Sequence, residues 1–307
     1  MTVRTVKLGD VIEINPRSNY SLASDSNVAF LAMADISEDG QILATQSRPL
    51  SEVAKGYTSF QNGDVLLAKI TPCFENGKAA LVHGMFSDVA FGSTEFHVLR
   101  PTEEIDGRYL YHLVWNPAFR TAGARRMTGS AGQKRVPAAF LSDFEIALPR
   151  FEEQKRIAAI LDKADSLRRK RQQTIRLADD LLRAVFLEMF GDPVTNPKGL
   201  PKLALGELIK LKSGEFLPAS EMSSDGSIPV YGGNGINGYH DEKMFDESQI
   251  VIGRVGAYCG AVHQTKEPCW VTDNALYVAE KSPDLQSDYL LFALRQANLN
   301  QYASQSG

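Results

Sequence analysis

Leu8-Gly9-Asp10-Val11-Ile12 returns as Leu205-Gly206-Glu207-Leu208-Ile209, and a long charged stretch of heptad-like spacing lies between the two copies. A duplicated sequence folds twice into one architecture, so this feature restricts the chain to two related modules joined by a helix. Further blocks repeat in the same order. Phe60-Gln61-Asn62-Gly63-Asp64-Val65-Leu66-Leu67-Ala68-Lys69 aligns with Phe245-Asp246-Glu247-Ser248-Gln249-Ile250-Val251-Ile252-Gly253-Arg254, each run ending in a base. Thr94-Glu95-Phe96-His97-Val98 answers Asn274-Ala275-Leu276-Tyr277-Val278, and Tyr109-Leu110-Tyr111-His112-Leu113 answers Tyr289-Leu290-Leu291-Phe292-Ala293. The offset shrinks along the chain, as insertions and deletions in loops require. So long a period means duplicated domains, not a solenoid.

The 307 residues are enough for two domains with their own cores. No apolar run approaches the roughly 18 residues of a membrane span, and Met1 to Lys7 contain no apolar signal segment. A cytoplasmic location is the default expectation. Three cysteines, Cys73, Cys259 and Cys269, are too few and too uneven for a disulfide framework. A net charge of -4 argues against bulk electrostatic gripping of nucleic acid. Charge distribution weakens that objection. Between Asp106 and Asp143 no acidic residue occurs, whereas Arg108, Arg120, Arg125, Arg126, Lys134 and Arg135 all do, which allows a local basic face.

The expected architecture is α+β: two similar mixed α/β domains at residues 1–150 and 193–307, with a long coiled-coil-type helix at 151–192. In the first half, strands are expected at Phe30 to Ala34, Asp64 to Ile70, Ala79 to His83 and Glu95 to Leu99, and a helix at Tyr109 to Val114. Glu152-Glu153-Gln154 places acidic residues in the first turn of the long helix, and Gly191-Asp192-Pro193 ends it. Ile157, Ile160 or Leu161, Ala164, Leu167, Arg171, Ile175, Ala178, Leu181 or Leu182, Val185 and Met189 recur at spacings of three and four. At 1.5 Å per residue such a helix is about 58 Å long. A helix of that length with one apolar stripe needs a partner helix.

Several motifs carry chemistry on paper. Gly233-Asn234-Gly235-Ile236-Asn237-Gly238 matches the dinucleotide-binding pattern, but a second strand at Ile250 to Val255 follows too soon for a crossover helix. A glycine- and asparagine-rich turn or binding loop is the reading that fits. Asn116-Pro117-Ala118-Phe119 is similar to the Asn-Pro-Pro-Phe tetrad of amino-methyltransferases; with no glycine-rich cofactor loop before it, it reads as an interhelical turn. Cys259, His263 and Cys269 lack a fourth zinc ligand, and no nucleophile elbow or carboxylate pair offers a seat for catalysis.

The candidates for nucleic-acid contact are polar and basic. In the first half they are Lys69 and Thr71 together with Arg125, Arg126, Ser130, Gln133, Lys134 and Arg135, side chains able to reach phosphates or base edges. The second half offers Asn234, Asn237, Arg254, Tyr258 and Asn274. Helix pairing is assigned to Ile157, Leu161, Ala164, Leu167, Ile175, Leu182, Val185 and Met189. The competing reading is a scaffold or oligomerisation protein that binds proteins instead of DNA.

The duplicated module, the Leu-Gly-Asp and Leu-Gly-Glu openers, the Phe140-Leu141 to Ile146-Ala147-Leu148-Pro149 strand, the Glu152-Glu153-Gln154-Lys155-Arg156-Ile157-Ala158 helix start and the Phe186-Leu187-Glu188-Met189-Phe190-Gly191-Asp192-Pro193 helix end together resemble the specificity subunit of type I restriction-modification systems. Tyr231-Gly232-Gly233-Asn234-Gly235, Ile252-Gly253-Arg254-Val255-Gly256 and Trp270-Val271-Thr272-Asp273-Asn274-Ala275 are also similar to blocks of such proteins. The resemblance implies a non-catalytic reader of double-stranded DNA in which each target recognition domain takes one half of a bipartite target. It also implies that the helix acts as spacer and as docking surface for methyltransferase subunits, and that a motor-nuclease subunit joins them. No cofactor would be bound directly: S-adenosylmethionine belongs to the methyltransferase partner, ATP and Mg to the motor-nuclease. A complete member pairs two long helices within one chain. Here Gln305-Ser306-Gly307 aligns with Ser130-Ala131-Gly132, before any counterpart of the return helix, so pairing with a second copy or with a modification subunit is expected instead.

Overall fold

A computed structural model describes residues 3–17, 20–130, 132–223 and 225–302. The correspondence of Ser130-Ala131-Gly132 with Gln305-Ser306-Gly307 lies outside the described residues. The chain divides into two compact units, 1–171 and 172–307.

The first unit contains β1 (Arg4–Lys7), β2 (Ile12–Ile14), β3 (Asn27–Leu31), β4 (Gln46–Pro49), the single-turn α1 (Leu50–Val53), β5 (Thr58–Phe60), β6 (Val65–Ala68), β7 (Ala79–Leu81), β8 (Ala90–Gly92) and β9 (Phe96–Pro101). Then come α2 (Gly107–Trp115), α3 (Pro117–Ala124), α4 (Ala138–Asp143) and β10 (Glu145–Leu148). Its sheets have strand orders β2-β9-β6-β7 and β4-β3-β8-β5, plus a β1-β10 pair. Leu67 and Leu66 enter two different apolar clusters, one with Leu8, Leu110 and Leu141, the other with Phe60, Phe96 and Val98. The β6 sheet is therefore buried on both faces.

Caps set the helix boundaries. Asp106 accepts from the amides of Arg108 and Tyr109 at the start of α2, and Asn116 both ends α2 and caps α3 through the Ala118 amide, with Pro117 behind it. Asn116-Pro117-Ala118-Phe119 is thus an interhelical turn. Phe140 and Leu141, expected in a strand, lie instead in α4, which Pro137 opens, and the strand begins only at Glu145. The helix α5 (Phe151–Phe190) runs through both units along the chain and stops at Gly191, whose φ of 78° suits glycine.

The second unit continues with α6 (Leu205–Leu208), β11 (Ile209–Ser213), β12 (Ile228–Gly232), β13 (Gly235–His240), β14 (Ile250–Gly253), β15 (Val262–Gln264), β16 (Trp270–Val271), β17 (Ala275–Lys281) and α7 (Ser287–Gln296). Its main sheet, β11-β17-β14-β15, copies β2-β9-β6-β7, and the parallel β12-β16 pair copies β3-β8. Phe60 pairs with Ala90 and its counterpart Phe245 with Cys269, so β5 shrinks to a single bridge in the second unit. The pairing corrects the sequence alignment by one residue: Ala68 faces Phe96 and Gly253 faces Ala275, which sets Glu95, not Thr94, opposite Asn274. β12 returns directly as β13 across Gly233-Asn234, a two-residue hairpin that excludes a dinucleotide crossover.

Within the first unit, α5 docks by a polar stripe. Gln154, Ala158 and Asp165 are buried, and Asp162 meets His112 at 2.7 Å and Arg108 at 3.5 Å; Asp165 also pairs with Arg168 and Arg169 of the same helix. Leu161, Leu167, Ile175, Leu182, Val185 and Met189 of the apolar seam are exposed, as is Ala164, while Ile157 is half-buried. No helix of the described residues is long and apolar enough to cross a membrane.

Candidate nucleic-acid interface

In the first unit the chain leaves β6 at Lys69, whose amide donates to the Glu95 carbonyl and whose carbonyl accepts from Val136. The Thr71 amide donates to the Lys134 carbonyl, and Thr128 and Arg135 exchange backbone bonds across a turn that Gln133 closes onto the Ser130 carbonyl. These bonds bring Lys69, Thr71, Ser130, Gln133, Lys134 and Arg135 into one ridge. Arg125 and Arg126 are exposed at the end of α3, just before Thr128.

Within the ridge the roles differ. Ser130, Gln133 and Lys134 are exposed, and Thr71 donates through its hydroxyl to Glu75 at 2.6 Å. The Arg135 guanidinium is turned onto Glu95, with Nε and Nη2 donating to the Glu95 carboxylate at 2.7–3.1 Å and Nη1 to the Gln133 carbonyl at 3.1 Å. A bidentate pair fixes orientation as well as charge. Arg135 holds the Glu95 carboxyl below its ordinary range, chiefly through these hydrogen bonds, and its own pKa is raised in return. Arg135 is therefore a brace for the ridge, with the neighbouring Lys134 and Gln133 left facing solvent.

His97 stands under the ridge. Its Nε2–H donates to the Val136 carbonyl at 2.8 Å and Nδ1 accepts from Asn15 at 3.1 Å, an arrangement that requires the neutral ring. Burial lowers its pKa below 6.5, and Lys69 adds to the effect. A depressed pKa means that the unfolded chain binds the proton more readily. The contribution to stability is thus complete above pH 6.5 and is lost as pH falls through the folded value. Urea unfolding of the first unit is expected to show this decline on acidification, with Glu95 adding a second loss of the same sign below pH 4.5. His97→Gln should flatten the upper part; a wild-type profile that is flat from pH 7.5 to the onset of the Glu95 step would contradict the assignment.

In the second unit Arg254 occupies the place of Lys69, its amide donating to the Asn274 carbonyl at 3.0 Å as Lys69 does to Glu95. Gly233 of the hairpin turn approaches Gly253, Asn274 and Tyr258, so exposed Asn234, Arg254, Tyr258 and Asn274 converge. The Arg254 guanidinium reaches the Ser213 hydroxyl at 3.2 Å. Asn237 lies apart from this group, folded back over Gly232.

The cysteines do different work. Cys259 donates to the Arg254 carbonyl, Cys269 is buried beside Thr265, and His263 donates to the Gly233 carbonyl. Among the described residues no group of His, Cys, Asp and Glu is arranged to hold a metal. Glu95, His97 and Gln154 carry much of the local structure, and the sequence singled out none of them for the site. Only Gln154 left a signal, as the glutamine that follows two glutamates at the helix start.

Comparison with known proteins agrees with this architecture. The profile described as type I restriction modification DNA specificity domain matches residues 2–177 and 197–307. The type I restriction enzyme EcoAI specificity subunit of Escherichia coli is 43% identical over 150 residues, 48% of this chain and 25% of that protein. The EcoEI specificity subunit of the same organism is 39% identical over 160 residues, 52% and 27% of the two chains. The chain thus spans about a quarter of the length of these two relatives. The E. coli EcoprrI specificity subunit is 28% identical over 313 residues, covering 92% of this chain and 73% of the relative. Two solved structures share the fold: a chain of a type I R-M system studied for complex assembly and conformational transition (TM-score 0.50, 19% identity, 97% of this chain and 80% of that one), and the type I restriction-modification S subunit from M. genitalium (0.53, 15%, 98% and 79%). With the profile matching both halves, the chain belongs to the type I restriction-modification DNA specificity domain family.

Proposed function

We propose that this chain is a non-catalytic, sequence-reading subunit of a type I restriction-modification assembly, each unit reading one half of a bipartite double-stranded DNA target. The observation that carries the reading is the equivalence of Lys69 and Arg254. Each base leaves the same strand of a copied sheet with the same backbone bond, and each is surrounded by other polar side chains on loops. Exposed Arg125, Arg126 and Lys134 supply phosphate contacts, and Gln133, Asn234 and Asn274 have donor and acceptor groups suited to base edges.

The exposed seam of α5 supports docking of modification subunits or a second copy of the chain. Methyl transfer with S-adenosylmethionine and ATP-dependent, Mg-requiring cleavage fall to the partner subunits. Coexpression with a cognate modification subunit, followed by mapping of methylated adenines, is expected to return one bipartite motif. Complex formation without any defined motif would sink the reading. DNA affinity should also drop steeply between about 50 and 200 mM salt, as phosphate contacts require.

A further inference from the structure

The candidate interface of the second unit adjoins an apolar side chain that its polar and basic members do not account for. Phe216 is 72% exposed, on the loop that leaves β11 at Ser213, whose hydroxyl accepts from Arg254 at 3.2 Å. Three residues of chain reach at most about 11 Å, so Phe216 lies no farther from Ser213 than the width of a DNA major groove, about 12 Å.

A single exposed apolar residue is ordinary on a protein surface. Phe216 differs because the chain before and after it is fixed. The Gly214 amide donates to the Ala275 carbonyl at 3.1 Å, the Glu215 amide to the Val271 carbonyl at 3.0 Å, and Trp270 Nε1 to the Glu215 carbonyl at 3.4 Å. A Cβ on Gly214 would lie 2.3 Å from the Val271 carbonyl oxygen and 2.4 Å from that of Thr272, so the loop is pressed against the start of the turn that carries Asn274. Leu217, the next residue, is buried. The anchored loop therefore sends one apolar side chain into the protein and holds its neighbour, Phe216, in solvent. Tyr258, also exposed, is a second ring on this interface.

The neighbouring side chains select the ligand. Arg254, Asn234 and Asn274 suit the hydrogen-bonding groups of base edges, and beside those groups the major groove displays one aliphatic group, the C5-methyl of thymine. We infer, on the basis of the proposed DNA reading, that Phe216 packs against a thymine methyl in the half-target of the second unit. It is then a specificity-determining residue, and it reads a base by apolar contact where its neighbours read by hydrogen bonds.

The test uses the full chain in complex with a cognate modification subunit, and duplexes of the mapped motif in which each thymine of the second half is replaced in turn by uracil, which lacks only the methyl. At one position uracil is expected to weaken the wild-type complex about three- to tenfold, as loss of a buried methyl requires. Phe216→Ala should weaken the thymine duplex at least as much and bind the thymine and uracil duplexes equally. It should keep the slope of affinity against salt, since no phosphate contact is lost, and thermal unfolding should match wild type, since the ring lies outside the core. Wild-type affinity in Phe216→Ala, a uracil penalty that persists in it at every position, or a half-target without thymine would each overturn the inference while leaving the proposed function intact. So would a Phe216-dependent rise in 2-aminopurine fluorescence at an adjoining base step, which would make the ring a wedge between bases. A wild-type complex that binds every sequence equally would overturn the proposed function, and the thymine contact with it.

Discussion

Replacing Gln154 by alanine is expected to destabilise the first unit by about 3 kcal/mol, since three part-buried backbone groups lose their partner, each at roughly 1 kcal/mol. Gln154 is 1% exposed. Its Oε1 accepts from the Asp106 amide at 2.9 Å, while Nε2 donates to the carbonyls of Glu104 at 2.9 Å and Pro149 at 3.0 Å. One side chain therefore ties the start of α5 to the loop before α2, whose cap is Asp106 itself. For a unit of this size the loss corresponds to a fall in melting temperature of roughly 6–12 °C. Gln154→Leu keeps the volume and should be no better than alanine. Gln154→Glu should be worse at neutral pH, because a buried carboxylate oxygen would replace the amide nitrogen that faces two carbonyls. Calorimetry of the three variants checks the order; a glutamate variant as stable as wild type would remove Gln154 from this role.

The repeat was legible because its blocks preserve apolar and turn residues in order, and the main four-stranded sheet of each unit follows it strand for strand. Its register slipped by one at β9. That sheet is buried on both faces, so Phe96, His97, Val98 and Leu99 show no alternation of polar and apolar residues to fix which side each takes. The ends of α5 were also legible, from acidic residues at one end and glycine with proline at the other.

The face by which α5 docks was not legible. It is built around Gln154, Asp162 and Asp165, which a hydropathy pattern assigns to solvent, whereas the apolar seam it does register is the stripe left exposed. The ridge candidates were found by residue type alone. Composition cannot distinguish Arg135, engaged by a carboxylate, from the exposed Lys134, because the difference depends on Glu95, a partner forty residues away.

Gly253→Ala is expected to disable the second unit's candidate interface while sparing the first. Gly253 ends β14, its amide donating to Ala261 and its carbonyl accepting from Gly260, both at 2.8 Å, so the backbone is held from both sides. A Cβ there would lie 2.1 Å from the Tyr258 carbonyl oxygen and 3.0 Å from that of Gly233. Both obstacles are backbone and cannot rotate away. The Tyr258 loop and the Gly233-Asn234 turn must separate, dispersing Asn234, Arg254, Tyr258 and Asn274, at a cost of roughly 2–4 kcal/mol to the second unit. Under the proposed function the methylated motif should keep one defined half and lose definition in the other. Tyr258→Ala, which removes one side chain and leaves the loops in place, should relax fewer positions. An unchanged motif in the Gly253→Ala protein, with unchanged unfolding of the second unit, would mean that the convergence of these loops is not what reads DNA.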